Sequence, residues 1–265
     1  MFLVVCWLML KSLMIQYSVG LGLVLMAAAA LLPLRAEDEP WDLFWDLAGW
    51  LAAVAIAVLA TRCFRKPVVA WIQSQPELQA YHQLLFQLPP WLGVFGCLLL
   101  IDFLYYWGHR AMHHRWFWDQ HAWHHSPRYL TWLSGSRTTL LNHLVLNAVP
   151  TVLTVLIFPI PPSREAVVFV MAFLRLVDHL HHTNLRLPGQ DWIEWVFITP
   201  RLHYVHHSDQ RPLSDSNYGL VLSWCDRLFG TYTPAQQVPA QFPLGLNYRI
   251  ENWRLLLGLG PASRD

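Results

Sequence analysis

Long apolar stretches separated by short polar loops dominate the first 180 residues of the chain. Residues 1–34 form one long or two short apolar segments, and a second run covers 47–60, ending at basic residues in 62–66. A third run covers 91–107 and follows Pro89-Pro90, where proline favours a break or the start of a helix. As a helix, this third run is just long enough to cross about 30 Å of hydrocarbon.

Two more apolar arms, 140–160 and 165–180, flank the short turn Pro161-Pro162-Ser163, and we predict a helical hairpin. Two crossings return the chain to the side that it left. The segments before and after the hairpin, 109–125 and 203–207, are therefore expected to face the same compartment.

Arginine is concentrated on that shared side, whereas the hairpin turn carries only Arg164. The positive-inside rule therefore predicts that this side faces the cytoplasm. One loop conflicts with this topology, because a single crossing from residue 91 places the basic residues 62–66 on the opposite side. Either 67–90 dips into the membrane or one predicted span is wrong.

Composition supports a multi-span membrane protein. Among 265 residues, 55% are hydrophobic and only 13% are charged, about half the charged share of an ordinary soluble domain. This excludes a disordered chain and argues against a soluble enzyme. A net charge of +1 with scattered arginines gives no general attraction to nucleic acid. The four cysteines lie far apart, so neither a disulfide framework nor a zinc ribbon is supported.

Histidine is the unusual residue, because 13 of the 14 histidines fall within 109–207. Three sets have spacings that place imidazoles on a common helix face, and neutral imidazole binds iron, zinc, copper or nickel. The sets are His109 and His113, then His121, His124 and His125, and finally His203, His206 and His207. Eight imidazoles exceed what one tetrahedral ion uses, which favours two metals.

The remaining side chains near these sets have simpler interpretations. His82, His114 and His143 are interpreted as ordinary hydrogen-bonded polar residues. Five tryptophans are interpreted as an interfacial belt and not as a substrate cage. They are Trp107, Trp116, Trp118, Trp123 and Trp132.

At these motifs the chain resembles the fatty acid hydroxylase/sterol desaturase superfamily of integral-membrane di-iron oxygenases. The resemblance covers about 100–232, and its motifs agree in order and spacing. It rests on DFLYYWGHRAMH at 102–113, HAWHHS at 121–126, HTN at 182–184, TPRLHYVHHS at 199–208, NYG at 217–219 and WCDRLFGT at 224–231.

The resemblance implies an all-α fold, a multi-span transmembrane helical bundle with a cytosolic histidine-rich cap that holds a di-metal site. It gives the eight histidines of the three sets ligand roles and adds His182 as the ninth ligand. His179 is a weaker candidate, and His181 projects from a different face. Asn217 and Asp226 are expected to orient ligands or to support the structure.

The implied activity is O2-dependent hydroxylation or desaturation of a C–H bond in a fatty acyl, sterol-like or ether lipid, with two iron ions as cofactor. The lipid would enter from the bilayer. A separate electron donor (a reductase, a ferredoxin or a cytochrome b5-like protein) is implied because the sequence has no flavin, ferredoxin or haem-attachment motif. The expected location is a bacterial inner membrane or an ER-type membrane, with several passes and the histidine site facing the cytoplasm.

The domain division expected from these motifs has three parts. Residues 1–90 are membrane segments, 91–235 form the catalytic region, and 236–265 form a C-terminal tail that serves as a monotopic anchor or a dimer contact. One feature departs from the family pattern: many bacterial members have Arg-x-His-Pro after the second histidine set, whereas this chain has Arg137-Thr138-Thr139-Leu140. The departure leaves the metal ligands intact but weakens any assignment of substrate.

Other classes of protein remain open at this point. A membrane zinc hydrolase fits less well, because the chain has no H-E-x-x-H motif and no carboxylate inside a histidine set. A haem-bearing electron carrier could use His143 and His179 as axial ligands but leaves the three sets unexplained. A metal transporter would need polar groups along a path through the membrane.

Overall fold

The computed structural model describes residues 2–35, 41–158 and 164–261, with side chains described from residue 16 onward and, after the second gap, from residue 169. Helices joined by loops make up these ranges, with three isolated β-bridges and no strand among the described residues. The helices are α1 (Phe2–Leu31), α2 (Leu43–Ala60), α3 (Lys66–Gln73), α4 (Pro76–Leu85), α5 (Pro90–Met112), α6 (Trp118–His125), α7 (Leu140–His143), α8 (Val149–Ile157), α9 (Arg164–His181), α10 (Gln190–Ile193), α11 (Pro200–His206), α12 (Arg211–Ser214), α13 (Trp224–Leu228) and α14 (Asn252–Leu256). The predicted all-helical class is confirmed.

Three helices in the described ranges are long and apolar enough to cross a membrane. They are Leu43–Gln73, Pro90–Met112 and Leu140–Ile157. A shorter apolar helix covers Gln16–Leu31. The second apolar arm forms α9, which packs against α1, where the Tyr17 hydroxyl donates to the Ala172 carbonyl at 3.2 Å, and its pairing with α8 as a hairpin stays a prediction. The turn predicted at 161–163 lies outside the described residues.

The sequence predicted that the second apolar run ends at the basic residues 62–66, but in the structure the helix continues through them. A π-helical turn, Thr61–Arg65, joins α2 to α3 in one continuous helix, and the Lys66 N–H donates to the Thr61 carbonyl. Pro67 explains the turn, because a proline inside a helix removes one N–H donor and the longer hydrogen bond accommodates the gap.

This continuous helix also locates the basic residues. Asp46 in its first turn pairs with Arg137 of the segment that follows α6, so the helix begins beside the histidine sets. Arg62 lies about 24 Å further along the axis at 1.5 Å per residue. The basic residues therefore lie inside the helix and towards its far end, not in a loop.

Polar contacts hold the beginnings and ends of the apolar helices against one cap. The Thr139 hydroxyl donates to the Gln120 carbonyl at 2.9 Å, so the helix Leu140–Ile157 begins beside α6. The end of α5 carries His109 into the same region. The Arg186 N–H donates to the Leu32 carbonyl at 2.8 Å, so the segments after α1 and α9 also meet there.

The C-terminal tail packs inside the chain. Leu255 of α14 is 2% exposed and lies against Ala122 and Trp123 of α6. The Gln120 side chain also donates to the Gly258 carbonyl at 3.0 Å. The tail therefore covers one face of α6, a role that neither sequence interpretation included.

The prediction that five tryptophans form an interfacial belt is wrong for two of them. Trp123 is fully buried, because α14 packs over it, and Trp132 is 5% exposed, with its ring against His179. Trp107 and Trp116 are 42% and 73% exposed, so an interfacial position for these two stays a prediction.

The Asp46–Arg137 pair anchors the membrane helices to the cap. Asp46 is completely buried, and its carboxylate accepts from Arg137 Nε at 2.7 Å, from Trp41 Nε1 at 2.7 Å and from the Ser134 hydroxyl at 3.0 Å. The Arg137 Nη1 also donates to the Ser126 hydroxyl, next to the second histidine set.

We expect Asp46→Ala to lower the free energy of unfolding by about 3–5 kcal/mol, because it leaves the buried Arg137 without its carboxylate. Thermal unfolding of detergent-purified protein measures the effect. The control is Asp42→Ala, whose half-exposed carboxylate lies 3.6 Å from the same guanidinium and should contribute about 1 kcal/mol or less. Equal losses in the two variants would contradict the anchoring role.

Candidate metal centre

Four segments of the cap bring nine buried histidines together. The C-terminal end of α5 supplies two, α6 three, α11 and the residue that follows it three, and the residue after α9 one. Within the described part of the chain they form two groups whose candidate ligand atoms lie within 4.8 Å of one another. Cluster one is His109, His113, His121, His125 and His206, and cluster two is His124, His182, His203 and His207.

The H-x-x-H-H spacing explains how two short helices serve two clusters. Residues four apart share a helix face, so His121 and His125 of α6 both face cluster one, while His124 faces cluster two. The third set is arranged the opposite way. His203 and His207, four residues apart, belong to cluster two, whereas His206 belongs to cluster one. The clusters adjoin, since the rings of His125 and His207 stack with centroids 4.5 Å apart.

Hydrogen bonds fix the tautomers in cluster one. Nδ1 of His109 donates to the Tyr218 carbonyl at 2.9 Å, and Nδ1 of His206 donates to the Ser216 carbonyl at 2.7 Å. A carbonyl only accepts, so the proton is on Nδ1 and Nε2 of each neutral ring carries a lone pair. The His206 Nε2 is buried without a hydrogen-bond partner among the described residues.

The His121 tautomer is fixed by an amide. Its Nδ1 lies 2.8 Å from Oδ1 of Asn142, whose Nδ2 donates to the Thr138 hydroxyl, so the amide oxygen faces the ring. Nε2 of His121 is therefore also a lone pair, and it lies 3.1 Å from Nε2 of His109. Two lone pairs at this distance repel each other unless a cation lies between them.

Protonation would relieve this repulsion, but burial opposes it. Burial lowers the pKa of His121 well below the usual value, and the neighbouring histidines lower it further. The same causes lower the pKa of His113, His125 and His206. Neutral imidazoles with converging lone pairs fit a transition-metal ion, which nitrogen ligands of this kind bind.

Cluster two has the same character. Nδ1 of His182 donates to the Asp178 carbonyl at 2.8 Å, which turns its Nε2 towards Nε2 of His203 at 3.0 Å and of His124 at 3.4 Å. Nε2 of His207 lies 3.0 Å from Nε2 of His203. Burial lowers the pKa of all four rings.

A glycine makes room for His182. Gly135 lies in the short 3-10 helix Ser134–Ser136, and a Cβ atom at this position would lie 2.5 Å from Nδ1 of His182. Any side chain there would push the ring out of cluster two.

Asn217 and Asp226 hold the loop that orients two rings of cluster one, the supporting position expected for them. The carboxylate of Asp226 accepts from the backbone N–H groups of Tyr218 and Gly219, each at 2.8 Å. Asn217 has a left-handed backbone with φ of 54° and donates to the carbonyls of Leu202 and Thr233. Burial raises the pKa of Asp226 to about 6 despite these hydrogen bonds.

Sequence reasoning missed the other groups that orient the ligands. It did not identify Asn142, or Asp215, whose Oδ1 lies 3.1 Å from Nδ1 of His113. Asp178 could have been identified from the sequence, because a carboxylate directly before a histidine-rich segment is a candidate partner for an imidazole. Its Oδ1 lies 3.8 Å from Nδ1 of His182.

The histidines outside the two clusters have other partners. His179 lies 2.6 Å from the Ser18 hydroxyl through Nε2, and His181 lies 3.0 Å from the Ile198 carbonyl. His82 hydrogen-bonds with the Leu156 carbonyl, and His114 is exposed. None of these belongs to either cluster among the described residues.

The fold and the site define a helical membrane protein whose cap carries two adjoining histidine clusters able to hold metal. The fatty acid hydroxylase family matches residues 94–231, more than half of the chain. The chain belongs to this family, and the predicted superfamily is confirmed.

Curated relatives agree with this family. The chain is 34% identical to alkylglycerol monooxygenase of Caenorhabditis elegans over 146 residues, which are 54% of this chain and 27% of the relative. It is 34% identical to the Homo sapiens protein of the same name over 154 residues, 56% of this chain and 33% of the relative. It is 28% identical to very-long-chain aldehyde decarbonylase GL1-4 of Oryza sativa subsp. indica over 142 residues, 49% and 22% of the two chains.

These matches span no more than a third of each relative's length. No solved structure matches the chain.

We expect Asn142→Leu to weaken metal binding at cluster one by about 10–100-fold, because Nδ1 of His121 loses the acceptor that fixes its tautomer. Competition with a chelator, followed by metal analysis, measures the change. The control is Asn147→Leu, the same substitution at an exposed position five residues further along the helix. Equal metal retention by the two variants would overturn the role of Asn142.

Proposed function

We propose that this protein is a membrane-bound di-iron oxygenase that uses O2 to hydroxylate a C–H bond of a lipid. The observation that carries the proposal is the pair of adjoining clusters, in which nine buried imidazoles gather their candidate ligand atoms at two points. Five ligands would hold one iron and four would hold the other. Irons held there would activate O2 for attack on an unactivated C–H bond, and the electrons consumed in each turnover would come from a separate donor.

The protein's own residues supply geometry and electrostatics. The carbonyls of Ser216 and Tyr218, held by Asp226, fix two imidazoles of cluster one, while the Asp178 carbonyl fixes His182 of cluster two. Complete burial of rings such as His125 and His207 keeps water from the site. This arrangement supports an oxidation that must not be diverted to solvent.

The proposed substrate is a lipid with a long alkyl chain that enters from the bilayer. The first ligand, His109, follows the apolar part of α5 by only two residues, so the site lies at the boundary of the hydrocarbon. The relatives with 34% identity are named for oxygenation of an alkylglycerol, which favours hydroxylation of an ether lipid over desaturation. An alkylglycerol is therefore the first substrate to test.

The proposal includes a separate electron donor, which is a reductase, a ferredoxin or a cytochrome b5-like protein. It also includes a multi-pass topology with the histidine site on the cytoplasmic side of a bacterial inner membrane or an ER-type membrane. The arginines of the cap support this orientation. The division into membrane segments (1–90), catalytic region (91–235) and tail (236–265) is proposed on the same basis.

The alternative functions fit the site less well. A haem carrier would use His143 and His179, but Nε2 of His179 lies 2.6 Å from the Ser18 hydroxyl. A zinc hydrolase needs a general base beside the metal. The carboxylate oxygen of Asp215 lies on the Nδ1 side of the His113 ring, away from the converging Nε2 atoms.

We expect His125→Ala and His203→Ala each to abolish lipid hydroxylation, with a loss of more than about 100-fold, because each removes one ligand from a different cluster. Iron per chain should also fall in both variants. Product formation from an alkylglycerol, with ferredoxin and its reductase supplied, measures activity, and elemental analysis measures iron.

The matched control is His114→Ala, which removes an exposed histidine outside both clusters and should leave activity and iron unchanged. Wild-type activity in either cluster variant would refute the ligand assignment. If the wild-type protein binds two irons per chain but oxidises no lipid, the proposed activity is refuted while the assignment of the metal site stands.

A further inference from the structure

A group of large apolar side chains lies exposed on the cap, outside the metal centre. We define the aromatic rim as Trp192, Trp195, Val196, Phe197, Trp224 and Leu228. Their exposed fractions are 81%, 67%, 52%, 45%, 38% and 66%. Exposed apolar patches of this kind mark contact with another protein or with a membrane.

Within 192–197, which carries most of the rim, the large apolar side chains face outward and the acidic one is buried, whereas the preceding Asp191 is exposed and pairs with Arg201. Glu194, between Trp192 and Trp195, is 1% exposed, and its carboxylate accepts from the Thr199 hydroxyl and from Arg201. The charged side chain thus faces the protein while the tryptophans face outward. A segment in water would have the opposite arrangement, whereas a lipid-facing segment has this one.

The two parts of the rim form one unit. The Ser223 N–H donates to the Val196 carbonyl at 2.9 Å, and the Ser223 hydroxyl donates to the Glu194 carbonyl at 3.1 Å. Arg227 adds a third link, because its Nη2 donates to the Glu194 carbonyl at 2.8 Å and its guanidinium lies over the Trp195 ring. These bonds hold the segments on either side of α11 in a fixed arrangement.

The rim is continuous with the membrane-spanning helix α5. The Trp224 indole donates to Asp102 at 3.1 Å and stacks on Phe103, and the Phe229 ring lies 4.9 Å from the Trp107 ring. The apolar part of α5, 91–107, rises about 25 Å, and these contacts lie in its last two turns. The rim is therefore level with the edge of the hydrocarbon, where tryptophan concentrates in membrane proteins.

We propose that the aromatic rim is immersed in the lipid interface of the membrane on the side of the cap. Its occupant is the bilayer and not a protein partner, because the rim continues the apolar surface of the membrane-spanning helix α5, and the acidic groups beside it, the buried Glu194 and the exposed Asp191, both pair with Arg201. Arg227, stacked on Trp195 and Tyr232, lies at the polar edge of the rim, where its guanidinium can reach lipid phosphates.

Photo-crosslinking tests this proposal with the full chain in phosphatidylcholine nanodiscs. A benzophenone amino acid replaces Trp192 in one variant and Trp195 in a second, and mass spectrometry identifies the adducts. The control position is Gln210, which is exposed beside Arg211, whose Nη2 donates to the His113 carbonyl beyond the end of α5. Both replaced side chains are exposed, and a single gel-filtration peak verifies folding.

We expect lipid adducts at positions 192 and 195 to exceed those at 210 by at least about fivefold, as for side chains buried 5–10 Å into the headgroup region. Lipid adducts no more frequent at 192 and 195 than at 210 would overturn the proposal. Crosslinks from 192 or 195 to a second copy of the chain, in place of lipid, would also overturn it and would assign the rim to a dimer.

Discussion

The mutual approach of buried imidazole lone pairs is the constraint on which the rest of the structure depends. His109 and His121 are each held as the Nδ1–H tautomer, yet their Nε2 atoms lie 3.1 Å apart in a site that disfavours protonation. Without a cation this arrangement costs free energy. A metal ion held by these nitrogens would convert the same contacts into ligand bonds, which would couple metal binding to the fold of the cap.

The scaffold around the clusters meets this constraint by holding five of the nine rings through their Nδ1 atoms. A loop held by Asp226 presents carbonyls to two rings, and the end of α9 presents another to His182. The Asp46–Arg137 pair joins the first turn of the longest membrane helix to the segment that follows the second histidine set. Membrane helices and cap are thus tied together at the level of the metal centre, close to where a lipid chain would arrive.

Periodicity and ligand spacing predicted much of this structure. Three of the apolar runs predicted the helices that are long and apolar enough to cross a membrane, and the H-x-x-H-H spacing predicted six of the clustered histidines, because helix geometry determines which imidazoles share a face. The sequence did not reveal the π-helical turn before Pro67, since hydropathy carries no information on hydrogen-bond register. Nor did it reveal Asn142 or the burial of Trp123 under α14, because these depend on contacts between segments distant in the chain.

The most direct test of the account is the metal content of detergent-purified protein after reconstitution with ferrous iron, measured together with its optical spectrum. The account predicts two irons per chain and no Soret band, because two separate sets of imidazoles converge on two points. One iron or fewer per chain, or a Soret band, would contradict the central claim that the nine histidines form a di-iron centre.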